Sequence, residues 1–441
     1  MRQARKGEFN MHMFRAFARA SGTVAVLLSG TALVQAADVS FLTHWAPETV
    51  AKLEAAAATY SVSHPDTKIT VRAVPFGDLL TTLRTSGGGA DGATIAGIYD
   101  AWLPDLSKDQ LVAPMPEATA ADTKANWPAG FVAAASINGT LYGIPNEINV
   151  YALNYNKRLF AEAGIAEAPK TWDEFLAAAE KLTDKSKGQQ GFGLINSWAA
   201  GVLHPFSSLL VSNGGDLVVD GKPVLDSPQA KETFELYEKL ITSGYSDPSM
   251  ATADANTTGP FLDSFVSGKT GMIIMANWWE SALKAGMGNA FGDIATAPIP
   301  VGPSGEVPAS ISYSWMTVVN AKATPEEQAA AWDFLAWLNG PESGPNGASA
   351  MGEILVSMGI LPSRTSDGAA YAEQLAANTF LTGYTETLGN AKGFPVVLGG
   401  QEFSESLQKT LEAVQFGQLS AADAQATAQA DATEILERNA K

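Results

Sequence analysis

The order of apolar and polar positions after residue 36 alternates between two periods. Val39–Leu42 is a short apolar run, and Thr49–Tyr60 is Ala-rich with Glu and Lys on one face. Lys68–Val74 alternates and stops at Pro75, Leu79–Thr85 returns to helical spacing, Gly87–Gly92 is a flexible turn, and Thr94–Ile98 is a buried strand. Strand and helix in turn predict an α/β fold with largely parallel sheets and crossover helices. Further along, Phe261–Lys269 reads as a helix and Met272–Met275 as a buried strand. Thr324 caps a helix with Pro325 at its first position and Glu327 three residues after the cap, while Trp332, Phe334, Leu335 and Leu338 form its buried stripe. Ala369–Ala377, Phe403–Val414 and Ala421–Glu437 read as closing helices.

The first 36 residues follow a different rule. Arg2, Arg5, Lys6, Arg15 and Arg19 precede the apolar run Gly22–Val34, which ends in Val34-Gln35-Ala36 before Ala37. The pattern predicts a cleaved secretory signal over residues 1–36, with Met11 or Met13 as other possible starts; a retained anchor fits less well because Gly22, Gly30 and Gln35 dilute the run. No cysteine follows, so a lipid anchor through a thioether is excluded.

The chain has 441 residues, 46% of them hydrophobic, enough for more than one domain. Its formal charge of −18 becomes −22 without the leader, a body that repels nucleic acid and anionic lipid. The absence of Cys removes disulfides and thiolate chemistry, and four His make a histidine-rich metal site improbable. Neither a metal nor a cofactor is expected. Asp254–Gly259 opens like a calcium loop, but Phe265 stands where a bidentate Glu is needed; Gly87-Gly88-Gly89 lacks the spacing of a phosphate cradle.

In open α/β sheets, ligands lie beyond the carboxyl ends of the strands. There this chain places His44, Trp45 and Glu48 after one strand, and Tyr99, Asp100 and Trp102 after another. Asn146, Glu147 and Asn149 stand before the apolar strand pattern Val150, Ala152, Leu153 and Tyr155. Asn277, Trp278 and Trp279 end the strand Met272–Met275. An aromatic beside a carboxylate suits a sugar, whose C–H face packs on an indole while its hydroxyls seek charged or amide partners. Residue by residue, Trp45 and Trp102 read equally well as core and Glu48 as a favourable charge at a helix start.

Four blocks carry a resemblance: LYGIPNEINVYALNYNK, PKTWDEF, FVSGKTGMIIMANWW and YSWMTVVNAKA. In order, they resemble bacterial extracellular solute-binding proteins of the carbohydrate-binding family that feeds ABC importers, and the likeness spans the chain after the leader. It implies the larger periplasmic-binding-protein fold: α/β, two lobes, a ligand cleft between them, and three crossings near Asn149–Leu153, Tyr313–Thr317 and Ser363–Ala370. The N-terminal lobe would comprise residues 37–150 and 316–366, and the C-terminal lobe residues 151–315 and 367–441. Trp278 matches the family's stacking position, with Trp279 packing behind it; Trp198 stands where relatives place a cleft-lining aromatic, with His204 the other candidate; Tyr313 and Trp315 lie at the return crossing. Arg364, in the Leu361–Arg364 turn, fits a structural ion pair. The implied protein is a monomeric periplasmic receptor, not an enzyme, that closes on a neutral mono- to oligosaccharide and hands it to membrane permease subunits. Its ligand contacts would come from His44, Trp45, Glu48, Asp100, Trp102, Asn146, Glu147, Trp198, Trp278, Tyr313 and Trp315. A polyol or betaine-type osmolyte is the alternative ligand, and an exported glycoside hydrolase the alternative of another class.

Overall fold

The computed structural model describes residues 37–86, 92–254 and 256–440. The leader and most of the Gly87–Gly92 turn lie outside the described residues. No helix among the described residues is long and apolar enough to cross a membrane.

Two mixed sheets organise the chain. The first has the order Thr67–Ala73, Ala37–Thr43, Ile95–Tyr99, Trp315–Val319, Gly143–Pro145. The second has the order Lys392–Gly393, Ile311–Tyr313, Glu147–Asn156, Thr270–Ala276, Gln190–Gly193, and Ile294–Ala297 and Leu361–Pro362 also pair with Glu147–Asn156. The first three strands of the chain are parallel, as the βαβ alternation requires. Thr270–Ala276 with Gln190–Gly193 and Ile311–Tyr313 with Lys392–Gly393 are parallel too, but the expectation of largely parallel sheets fails around the strands that link the two sheets. Trp315–Val319 runs antiparallel to both neighbours, and Glu147–Asn156 is antiparallel to all four of its partners. These strands enter from the other sheet and not through a crossover helix, so nothing imposes the parallel direction on them.

Each sheet has its own apolar core. One gathers Val39 to Ile144 with Trp315 to Ile360, and the other gathers mainly Val150 to Ile311 with Leu361 to Leu436. The fold is two-lobed, and Tyr99 and Trp278 pack against both cores.

The chain passes between the lobes at Asn146, at Ser314 and between Ile360 and Leu361, and Asn146, Ser314 and Ser363 beside these passages are laced together. The Asn146 N–H donates to the Trp315 carbonyl (2.9 Å), and the Ser363 N–H and hydroxyl donate to the carbonyls of Asn146 (3.0 Å) and Pro145 (2.7 Å). Ser314 is held reciprocally: its N–H donates to the Asp100 carboxylate (2.7 Å), and its carbonyl accepts from the Asp100 N–H (3.1 Å). The Asn146 side-chain amide donates to Asn339 (2.9 Å). Polar backbone trapped between two cores has no water to turn to, so it must be paired in this way.

Most helices follow their sequence signals. Pro325–Leu338 carries the expected capping box, Thr324 accepting from the Glu327 N–H (3.2 Å) and Glu327 from the Thr324 N–H (2.9 Å). The first helix begins at Pro47 instead of Thr49, because proline is favoured in a first turn. The single helix expected over Ala369–Ala377 is two, Thr365–Ala370 and Ala372–Ala377, broken at Tyr371. Ala199–Ser212 is a helix that no amphipathic pattern announces, since nearly all of it is buried. Arg364 lies 3.7 Å from Asp367 and over the Trp127 ring, a structural role.

Replacing Asp100 by Ala strips the Ser314 N–H of its buried acceptor, a carboxyl that burial pushes up to about 7. The expected loss is about 1.5–3 kcal/mol in chemical denaturation, with Asp100→Asn milder because it keeps an acceptor; a wild-type midpoint for Asp100→Ala would show the link to be dispensable.

Candidate functional site between the lobes

A cavity of about 400 Å³ opens between the two lobes. From the first lobe come His44, Trp45 and Glu48, which follow the strand Ala37–Thr43, with Phe76 and Tyr99 at two further strand ends. From the crossings come Glu147, Asn149, Tyr313 and Trp315; from the second lobe come Trp198, His204 and Trp278. The carboxyl ends of strands in both sheets converge on one space, which is why side chains more than 200 residues apart meet there.

The walls are chiefly rings. His44 and Trp315 meet edge to face at 4.6 Å, and Trp198 and Trp278 at 6.1 Å. Trp278 stacks on Trp279 at 4.4 Å, and its indole N–H donates to the Tyr313 hydroxyl (2.6 Å). Trp279 is 2% exposed and packs on Phe261. It backs Trp278, which keeps the more accessible face. Trp315 rests on Gly97: a Cβ there would stand 2.5 Å from the indole nitrogen, so only glycine admits this ring.

Exposed Glu48, Lys52 and Asn256 line part of the cavity, and its other charged and imidazole groups lie deeper. Glu147 is 5% exposed, accepts from the Asn149 amide (2.9 Å), and burial pushes its carboxyl up to about 7. Burial holds His44 down at about 4 and His204 at about 3, so both imidazoles are neutral at pH 7. His204 bonds to Tyr99 of the first lobe through Nε2 (2.9 Å) and to Tyr151 through Nδ1 (2.8 Å). His44 Nδ1 and Asn149 Oδ1 are buried without a hydrogen-bond partner among the described residues. An orphaned polar atom costs about 1–3 kcal/mol, which a ligand rich in donors and acceptors would recover. Among the described residues no group of three or more His, Asp and Glu is placed to hold a metal ion. In the calcium-like loop, Asp254 is taken up by its own turn, accepting from Asn256 and Thr258.

Of the eleven residues singled out in the sequence, eight line this cavity: His44, Trp45, Glu48, Glu147, Trp198, Trp278, Tyr313 and Trp315. Three do not. Asp100 and Asn146 serve the crossings, Asp100 through Ser314 and Asn146 through Asn339. Trp102 donates its indole N–H to Gln401 (2.9 Å) and faces a second cavity. Tyr99 and Asn149, noted at a strand end and in the polar cluster but not among the expected contacts, also line it, as does Phe76, which no sequence signal singled out.

The family profile described as "Bacterial extracellular solute-binding protein" matches residues 46–345. The chain belongs to this family. A putative binding protein of Brucella abortus is 26% identical over 394 residues, 88% of this chain and 92% of that one. Among solved structures, the GacH receptor of Streptomyces glaucescens, determined unliganded and with acarbose, superposes with a TM-score of 0.77 at 23% identity, covering 91% of this chain and 98% of its own. The cyclic alpha-maltosyl-1,6-maltose binding protein of Arthrobacter globiformis gives 0.74 at 25%, covering 91% and 99%. This family member therefore shares a two-lobed architecture with these receptor and binding proteins.

Glu147 also sets a pH dependence. Its folded-state value lies above its ordinary 4.5, so the native protein holds this proton more tightly and loses stability as pH rises from about 4.5 to 7. Glu147→Gln should therefore melt roughly 2 °C or more above wild type at pH 8 without ligand and level with it at pH 4.5. Equal melting at pH 8 would mean that the buried carboxyl carries no such penalty.

Proposed function

We propose that this chain is the substrate receptor of an ABC importer, binding a neutral carbohydrate between its lobes and presenting the closed form to membrane permease subunits. The observation that carries this reading is a cavity walled by indole and phenol rings, with a buried carboxyl and three unpaired polar atoms, His44 Nδ1, Asn149 Oδ1 and Trp315 Nε1, among them. Rings pack on the C–H faces of a sugar, each pair contributing roughly 0.5–1.5 kcal/mol beyond area burial. Glu147, Asn149 and His44 meet its hydroxyls, Trp278 and Trp198 are the second-lobe platforms, and Trp45, Glu48, Tyr313 and Trp315 complete the wall. The ligands named for the solved relatives, acarbose and a cyclic maltosyl-maltose, support a carbohydrate over an osmolyte.

Closure is a hinge motion about the laced crossings, driven by the ligand's preference for the closed arrangement. We draw the lobes at those crossings, near residues 146, 314 and 363. The basic and apolar leader fits export and cleavage near Ala36, which would place a monomeric receptor in the periplasm. A glycoside hydrolase would need two carboxyl groups astride the scissile bond. Asp100, on which that reading drew, is engaged at a crossing, leaving exposed Glu48 and buried Glu147.

The test is a thermal-shift screen of mono-, di- and trisaccharides, polyols and betaines, in which a ligand at a hundred times its dissociation constant stabilises by about 2.7 kcal/mol. Sugars are expected to stand out, and Trp278→Ala to weaken the best of them about tenfold or more in calorimetry while the protein stays folded. Stabilisation by betaines alone, or reducing ends released from an oligosaccharide, would overturn the reading.

A further inference from the structure

The hydroxyl of Tyr313 ends a hydrogen-bonded series that starts in the other lobe. Tyr99 of the first lobe bonds to His204 Nε2 (2.9 Å), His204 Nδ1 to the Tyr151 hydroxyl (2.8 Å), and Tyr151 to Tyr313, whose oxygen also accepts the indole N–H of Trp278 (2.6 Å). Strand register explains the far end. Tyr313 pairs with Asn149, and Glu147, Asn149 and Tyr151 alternate onto one face of their strand, so the Tyr313 phenol is flanked by Glu147 on one side and Tyr151 on the other. Glu147, Asn149 and Tyr313 line the first cavity, whereas Tyr151 is buried outside it.

His204 is neutral, so it carries one N–H and must donate through one ring nitrogen and accept through the other. The series therefore has a direction. With the proton on Nε2, Nδ1 would accept from Tyr151, Tyr151 would accept from Tyr313, and Tyr313 would have no proton for the cavity. With the proton on Nδ1, Tyr99 donates to Nε2, Nδ1 to Tyr151 and Tyr151 to Tyr313, and the Tyr313 proton is left to the cavity. Trp278 occupies a lone pair of Tyr313 in either case, so the choice falls to Glu147. An ionised carboxylate only accepts, and it draws the Tyr313 proton towards itself. Burial pushes both phenols well above their ordinary range; the bond between them adds to this for Tyr151 and opposes it for Tyr313, as a Tyr151 donor and a Tyr313 acceptor require.

We propose that His204 is a positioning residue of the site: held as the Nδ1–H tautomer, with Tyr99 as donor at one end of the series and Glu147 as acceptor at the other, it turns the Tyr313 hydroxyl proton into the cavity. This deepens the receptor reading above and rests on it. A donor beside an acceptor-only carboxylate selects a free hydroxyl, which accepts from Tyr313 while it donates to Glu147. A methylated oxygen only accepts and an ammonium only donates, so each leaves one of the pair unmet. Bonds in series polarise one another by roughly 10–30% each. Tyr99 joins the series only while the lobes are together, so Tyr313 is the stronger donor in the closed form.

The test is 15N NMR of the histidine rings in the whole protein at pH 8 without ligand, where Glu147 is ionised. The chain has four histidines, and loss of a signal in His204→Phe assigns its ring. The wild type is expected to carry the His204 proton on Nδ1. Tyr313→Phe deprives Tyr151 of its acceptor, the Tyr151 proton turns to Nδ1, and the imidazole proton should move to Nε2. Tyr99→Phe leaves the Glu147 end intact and should keep it on Nδ1. A proton on Nε2 in the wild type, or a tautomer that Tyr313→Phe does not move, overturns the proposal. Tyr151→Phe, which removes a hydroxyl outside the cavity and keeps the ring, extends the test to binding. In thermal shift with glucose, mannose, maltose and cellobiose, any of these sugars that stabilises the wild type should bind Tyr151→Phe about threefold or more weaker. Equal binding overturns the role of the series in recognition. Sugars that shift neither protein count against the carbohydrate reading, while the tautomer result stands or falls by itself.

Discussion

Main-chain polarity at the crossings is the constraint on which the rest of this molecule depends. Three strands leave one hydrophobic core and enter another, and at each passage the peptide groups need partners that neither sheet supplies in full. Asn146 bonds to Trp315 and Ser363 to Asn146 and Pro145, while Asp100 of the first lobe holds Ser314 on both sides. Because the bonds run between crossings, the three passages form a single knot and not three independent tethers. The strand Glu147–Asn156 begins one residue past that knot and serves as the hub of the second sheet. Glu147 and Asn149 are thereby carried to the cavity by the best-anchored backbone in the protein.

That placement sets the character of the site. A carboxyl surrounded by rings loses most of its hydration, so the native state tolerates the charge instead of benefiting from it. Unpaired His44 Nδ1 and Asn149 Oδ1 act in the same direction. Sites that must be completed by a ligand are commonly the least stable part of a fold. The cores on either side are densely apolar.

Much of this was legible before any coordinates. Strand-end positions led to His44, Trp45 and Glu48, and to Trp278; the capping signals around Thr324 located their helix. The same rule could not separate Asp100 from Tyr99 next to it, because a carboxylate after a strand is equally suited to binding a ligand and to holding a crossing. Only the position of Ser314, 214 residues away, distinguishes the two. Asn146 misled for the same reason. The helix Ala199–Ser212 was hidden because burial on all sides erases the period that marks a surface helix. The antiparallel strands escaped notice because sequence alternation reports which elements occur, not from which sheet the chain arrives.

The link from Tyr99 to His204 bears on how tightly the empty protein holds itself shut. Both groups would meet water once the lobes separate, and water replaces each partner at little loss, so this tie is worth only about 0.5–1.5 kcal/mol. A fastening that weak shifts the balance between shapes by no more than roughly tenfold. On the reading proposed above, this bond alone is too weak to keep the lobes together, and the ligand's own contacts would decide when they stay so.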